Sequence, residues 1–93
     1  MNMDLLTCRR EIDRVDRELL SLFAERMELA AQVAAYKQAH GLPVLDSARE
    51  REKLDAIRKI SPEGLEDYAE ALFARLMELS RAYQQRLLEK KET

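Results

Sequence analysis

The sequence predicts an all-α fold: a three-helix chain with a long first helix. Three observations point there. Hydrophobic residues make up 46% and charged residues 37% of the chain, with two Gly, two Pro and no Trp, a composition typical of helices rich in Ala, Leu, Glu and Arg. No Gly or Pro occurs between Leu5 and His40. Within that stretch the apolar residues return at alternating steps of three and four.

Leu5, Cys8, Ile12, Val15, Leu19, Leu22, Leu29 and Val33 form a coiled-coil-like seam, with one gap at Arg26. Gly41 and Pro43 then stop the first helix. Asp46 or Ser47 can cap a second helix, and Ser47 with Glu50 fits a capping box. That helix fades at Ile60. Ser61-Pro62-Glu63 reads as the N-cap and first turn of a third helix, with Gly64 blurring its start. The third helix runs to about Glu89, and the end of "LLEKKET" is expected to fray.

Length adds a constraint. A helix of about 35 residues spans roughly 50 Å, whereas a compact chain of this size has a radius of gyration of ~12 Å. The first helix must project beyond any monomeric core and carry its seam into water. A second copy of the chain is the expected cover, because two-fold homodimers are the commonest soluble oligomers.

Composition also excludes. A net charge of −2 argues against non-specific binding to nucleic acid or anionic membranes. Cys8 is the one cysteine and His40 the one histidine, so neither an internal disulfide nor a histidine-based metal cage is expected. Charges throughout the first residues speak against a signal peptide, and no apolar run approaches membrane-spanning length. The expectation is one soluble cytoplasmic domain over residues 1–93, with no metal and no cofactor.

Polar residues that interrupt apolar faces are the informative ones. Arg26 and Lys37 lie eleven residues apart, within about 20° of the same direction and roughly 16 Å apart along the axis. On the third helix, Leu72, Leu76, Ser80, Gln84 and Leu88 form one i,i+4 row with two polar members. Either cation alone could lay its stem on apolar surface with its head in water, and a lone Gln could simply set register. Together, two cations and two neutral polar groups facing inward imply a ligand, since unpaired they would cost on the order of several kcal/mol. A small dianion would satisfy them. Ser80 has no base nearby for nucleophilic chemistry. Asp13 and Asp16 sit among Arg9, Arg10, Arg14 and Arg17 as a salt-bridged exposed face. Cys8 reads as a small seam residue, and His40 as a helix C-terminal cation or a solvated side chain.

The segments "RREIDRVDRELLSLFAERMELAAQVAAYK", "GLPVLDSARERE" and "YAEALFARLMELSRAYQQ" resemble the all-helical chorismate mutases, in the right order and over nearly the whole chain. The resemblance implies an intertwined helical homodimer whose long first helices pair. It also implies conversion of chorismate to prephenate on the branch toward phenylalanine and tyrosine. Carried over by position, Arg26 and Lys37 match the cations of the first helix, and Arg9 an arginine that reaches into the partner's site. Asp46, Arg49 and Glu50 match residues around the substrate hydroxyl and carboxylate, and Ser80 and Gln84 the polar pair of the third helix. Leu45 departs from the pattern, at a place that can be basic in relatives.

The chemistry suits these residues. Chorismate carries two carboxylates, a hydroxyl and an ether oxygen, and its rearrangement is intramolecular and pericyclic. Holding the flexible arm over the ring and stabilising negative charge at the breaking ether bond are what help. Arginines match the carboxylates, Lys37 and Gln84 would donate to the ether oxygen, and Glu50 would accept from the hydroxyl. Two alternatives stand beside this reading. One is an isochorismate-pyruvate lyase, whose fold and site are similar. The other is a non-catalytic helical dimerisation module.

Overall fold

The computed structural model describes residues 4–91. Three helices follow one another: α1 (Leu5–Ala39), α2 (Ser47–Ile60) and α3 (Glu66–Lys91). The expected all-α, three-helix chain with a long first helix holds, as do the lengths of the first two helices.

The ends of the helices have local causes. Asp4 caps α1, its carboxylate accepting from the Thr7 N–H at 2.7 Å. At the far end Gly41 takes φ +65°, a left-handed conformation that favours glycine. The Leu42 N–H then reaches back to the Lys37 carbonyl at 2.8 Å and the Gly41 N–H to the Gln38 carbonyl at 3.3 Å, the closing pair of a Schellman motif. His40 stacks on Tyr36 with ring centroids 4.0 Å apart, its Nδ1 2.8 Å from the Tyr36 carbonyl oxygen. It serves as the helix end, close to expectation.

Of the two candidate caps of α2 the structure uses Asp46, and the cap expected of Ser61 differs. Asp46 caps α2 by accepting from the Arg49 N–H at 3.0 Å, so Ser47 is the first helical residue and no Ser47–Glu50 capping box forms. Ser61 ends α2 rather than starting α3. Its hydroxyl donates to the Ile57 carbonyl at 2.6 Å, one turn back. The chain then turns through Pro62, Glu63 and Gly64 (φ +90°), and α3 begins at Glu66. A serine between two helices can serve either neighbour, and here it serves α2. The helix runs to Lys91, two residues past the expected end, while Glu92 and Thr93 lie outside the described residues, as do residues 1–3.

The helices form one layer. The chain measures 55 × 28 × 14 Å with a radius of gyration of 16.9 Å, and 14 Å is scarcely more than one helix diameter. Both α1 and α3 pack together, as do α2 and α3, but α1 and α2 make no comparable contact. The core is correspondingly small: Ala34, Ile57 and Met77 are the buried apolar residues, and no large side chain is fully enclosed. The accessible surface is 7667 Å², against roughly 5,500 Å² for a compact monomer of this mass.

The surplus is apolar. Ile12, Val15, Leu19, Leu22, Leu29 and Val33 of the α1 seam are all exposed. The stripe that packs on α3 is different: Phe23, Met27, Ala30 and Ala34 are half-buried or buried and lie about a quarter-turn from the seam. On the polar face Arg14 pairs with Glu11 and Glu18 at 3.3 and 3.0 Å, so the exposed ion-paired face exists with those glutamates as partners. Arg58 of α2 ties the elbow to α3 through Asp67 at 2.8 Å and Glu70 at 2.6 Å. Those hydrogen bonds, to Asp67 first and Glu70 second, hold its guanidinium still more firmly in the charged form. Among the described residues no helix is long and apolar enough to cross a membrane.

The Asp4 cap yields a testable sign. Hydrogen bonds from Thr7 lower its carboxyl pKa below the ordinary value, so the folded state favours the ionised cap. Its stabilising contribution is present above the unfolded value of about 3.9 and fades as pH falls through the lower folded value. Asp4→Ala should therefore lower the melting temperature at pH 7. Melting curves recorded from pH 7 to 2.5 should show the gap to the unmodified chain closing at the acid end.

Candidate active site

Charged side chains from all three helices meet where the C-terminal half of α1, the start of α2 and the middle of α3 come together. A cleft enclosing about 170 Å³ opens there. α1 contributes Arg26 and Lys37, the turn before α2 contributes Val44 and Asp46, and α2 contributes Arg49, Glu50 and Lys53. α3 supplies Met77, Ser80, Arg81 and Gln84.

Each polar group has a defined setting. The Arg26 Nη1 donates to the Ser80 hydroxyl at 2.6 Å, spending one of its five N–H donors. The Ser80 hydroxyl in turn lies 3.8 Å from the Met27 sulfur. Lys37 donates to the Val44 carbonyl at 2.9 Å. With its own carbonyl already accepting from Leu42, Lys37 holds the turn at both ends and keeps two ammonium donors in reserve. The Gln84 Nε2 donates to the Ala30 carbonyl at 2.8 Å. Because that partner can only accept, the amide nitrogen is fixed on the α1 side and its second N–H stays available. Ser80 and Gln84 are the buried polar residues of the described chain, 8% and 6% exposed, and neither leaves a buried side-chain polar atom without a partner.

Five cations and two carboxylates line the cleft, a formal surplus of three positive charges in a chain of net −2. Such a concave cationic surface concentrates small anions. No group of three or more potential metal-ligating side chains occurs among the described residues. What the cleft offers is donors: two arginine forks, two lysine ammoniums and an amide, besides the Arg81 that engages Glu50.

Of the residues singled out in the sequence, Arg26, Lys37, Asp46, Arg49, Glu50, Ser80 and Gln84 line this one cleft. Arg9 does not. It is exposed on the N-terminal half of α1, seventeen residues and roughly 25 Å along the axis from Arg26. The roles within the cleft are also more specific than residue types indicate. Asp46 spends one carboxylate oxygen on the α2 cap, and Arg49 pairs with Glu52 at 3.3 Å on the exposed side. Lys53 and Arg81 line the cleft without having been singled out. Lys53 lies four residues after Arg49, so the i,i+4 rule already placed it on that face. Arg81 adjoins Ser80 in sequence and shows no periodic signal of its own.

The chain matches the family described as chorismate mutase type II over residues 8–85. It belongs to that family. A chorismate mutase of Methanocaldococcus jannaschii is 38% identical over 87 residues, spanning 91% of this chain and 88% of that protein. Chorismate mutase (Form II) of Thermus thermophilus superposes with a TM-score of 0.84 at 30% identity, over 88% of this chain and 94% of the other. A bifunctional chorismate mutase/prephenate dehydratase of Escherichia coli is 38% identical over 91% of this chain, but the match spans 22% of its length. The chain thus covers a small part of some type II relatives and nearly the whole of others.

The buried amide separates stability from site. Replacing Gln84 by an isosteric apolar residue removes a buried donor and leaves the Ala30 carbonyl within its helix, an exchange that is close to neutral when no partner is stranded. Gln84→Leu should unfold in denaturant within about 1 kcal/mol of the unmodified chain, while losing the ability to bind or turn over an anionic ligand. A chemical denaturation curve and an activity assay on the same preparation check both halves.

Proposed function

We propose that this chain catalyses the intramolecular rearrangement of chorismate to prephenate. The observation that carries the mechanism is the convergence of Arg26, Lys37, Glu50 and Gln84 on one cationic cleft. Family membership supplies the reaction.

On this reading the two carboxylates of chorismate meet the cationic surplus. Arg26 and Arg49 bind them through planar forks, and Arg9 of a second copy completes the set. Ser80 orients the Arg26 fork. Glu50 accepts from the ring hydroxyl, and Asp46 stands beside it at the turn. Lys37 and the second N–H of Gln84 donate to the ether oxygen as the C–O bond breaks and negative charge gathers there. No proton changes hands, and the electrons move within the substrate alone. One preorganised donor is typically worth ~2.7–4 kcal/mol. Two donors together with a restrained near-attack geometry reach the ~8 kcal/mol at the low end of enzymatic acceleration.

The second copy enters for a physical reason. A chain of one helical layer exposes its seam, and the roughly 2,000 Å² of surplus surface matches what an obligate homodimer covers on each subunit. In an antiparallel pairing of α1 helices, the N-terminal half of one helix passes the C-terminal half of the other. That brings Arg9 to the partner's cleft, which its own cleft cannot supply.

Two experiments test this. Incubating the purified chain with chorismate and with isochorismate should yield prephenate from the first and no pyruvate or salicylate from the second, and Lys37→Ala should abolish the turnover without unfolding the chain. Mixing inactive Arg9→Ala and Lys37→Ala chains should return activity, because each heterodimer carries one intact site and one doubly damaged one. Subunit exchange confirmed by mass without any return of activity would end the shared-site reading.

A further inference from the structure

Arg81 has no part in the mechanism above, yet its guanidinium reaches into the cleft. One nitrogen, Nη1, donates to both carboxylate oxygens of Glu50. In this pair the side chains are 31% and 26% exposed, and no other ion pair among the described residues has both partners below a third. Most of the others join neighbours on one helix, where such pairs contribute little. This one spans thirty-one positions and links α2 to α3 inside the cleft.

Glu50 stands on a ridge between two hollows. One is the cleft. The other is a depression bounded by Ser47, Arg51, Asp55 and Glu70. Arg81 lines the first and not the second, so its bond holds the carboxylate on the cleft side. It also solves an electrostatic problem. A bare carboxylate in the cleft would repel the dianion it is meant to orient, and removing one partner of a part-buried pair leaves that charge uncompensated.

We infer that Arg81 is a positioning residue: through its ion pair it aims and neutralises Glu50, so that Glu50 accepts from the substrate hydroxyl without repelling the substrate carboxylates. The inference rests on the proposed reaction and deepens it.

A double-mutant cycle separates this role from a purely structural one. KM and kcat for chorismate are measured for the unmodified chain, Arg81→Met and Arg81→Lys. The Kd for prephenate, another dicarboxylate, is measured by calorimetry for these and for Glu50→Gln with and without Arg81→Met. Arg81→Met should raise KM and Kd by about tenfold or more, with kcat changed far less. Arg81→Lys, which keeps a cation facing Glu50, should recover most of the affinity. In the Glu50→Gln background, where no charge needs compensating, Arg81→Met should change Kd by less than about threefold. An equal loss in both backgrounds, or no loss in either, overturns the inference. If Arg81→Met does not fold, Arg81→Gln carries the same comparison. Absence of turnover by the unmodified chain would overturn the proposed reaction, whereas normal turnover with an additive cycle would overturn the Arg81 role alone.

Discussion

Two hydrogen bonds set the relation between α1 and α3: Arg26 to the Ser80 hydroxyl and Gln84 to the Ala30 carbonyl. Ser80 and Gln84 are one turn apart on α3, and their partners are one turn apart on α1, so the pair acts as a register pin. Apolar contacts alone would not fix it. The intramolecular face of α1 is largely alanine and methionine, small or pliable side chains that tolerate sliding. A slip of one turn would part the Arg26 fork from the Ser80 hydroxyl and carry the buried amide off the Ala30 carbonyl. Once the register is pinned, Arg26 has its fork beside Ser80 and Lys37 stands at the mouth of the turn. The Schellman closure and the Lys37–Val44 bond then deliver Asp46 to the start of α2 and Glu50 to the cleft.

Electrostatics follow from that placement. The cleft concentrates cations within a chain that is slightly acidic, and their mutual repulsion is relieved in part inside the site. Arg26 leans on a neutral hydroxyl, Lys37 on a carbonyl and Arg81 on Glu50. The first two partners fix geometry without cancelling charge. Arg26 and Lys37 therefore remain net attractors for an anion, while Arg81 is already matched. The cleft thus contains both an unspent positive surplus and one neutralised pair.

How much of this the sequence discloses depends on the range of the interaction. The absence of Gly and Pro from Leu5 to His40 marked α1, and the interruptions of apolar rows at Arg26, Lys37, Ser80 and Gln84 marked the site, because periodicity carries both. Caps were less legible. Ser61 sits between two helices, and only the position of the Ile57 carbonyl decides which one it serves. Ser47 and Glu50 fit a capping box by spacing, but Asp46 already holds the Arg49 N–H and Arg81 draws Glu50 away. The Glu50–Arg81 pair was out of reach for the same reason: its members lie thirty-one residues apart, and nothing local joins them. Conversely, reading Arg26 and Lys37 as facing a core was too simple. The seam they interrupt is exposed in the single chain, and the two cations border a cleft at its edge.

That edge position explains why the polar interruptions stand where they do. The seam and the α3-facing stripe of α1 run about a quarter-turn apart, and Arg26 and Lys37 interrupt the seam on the side nearer that stripe. A cation there gives up no core packing and stays within reach of α2 and α3 on one side and of anything laid along the seam on the other. Groups that hold developing charge without exchanging protons have to be rigid rather than titratable, and a side chain on a continuous helix, with a hydrogen bond to its neighbour, meets that demand better than one on a loop. On the proposed reading the long first helix does two jobs with adjacent stripes: its exposed seam is the surface for a second copy, and it fixes two cations along the border where that copy would close the site.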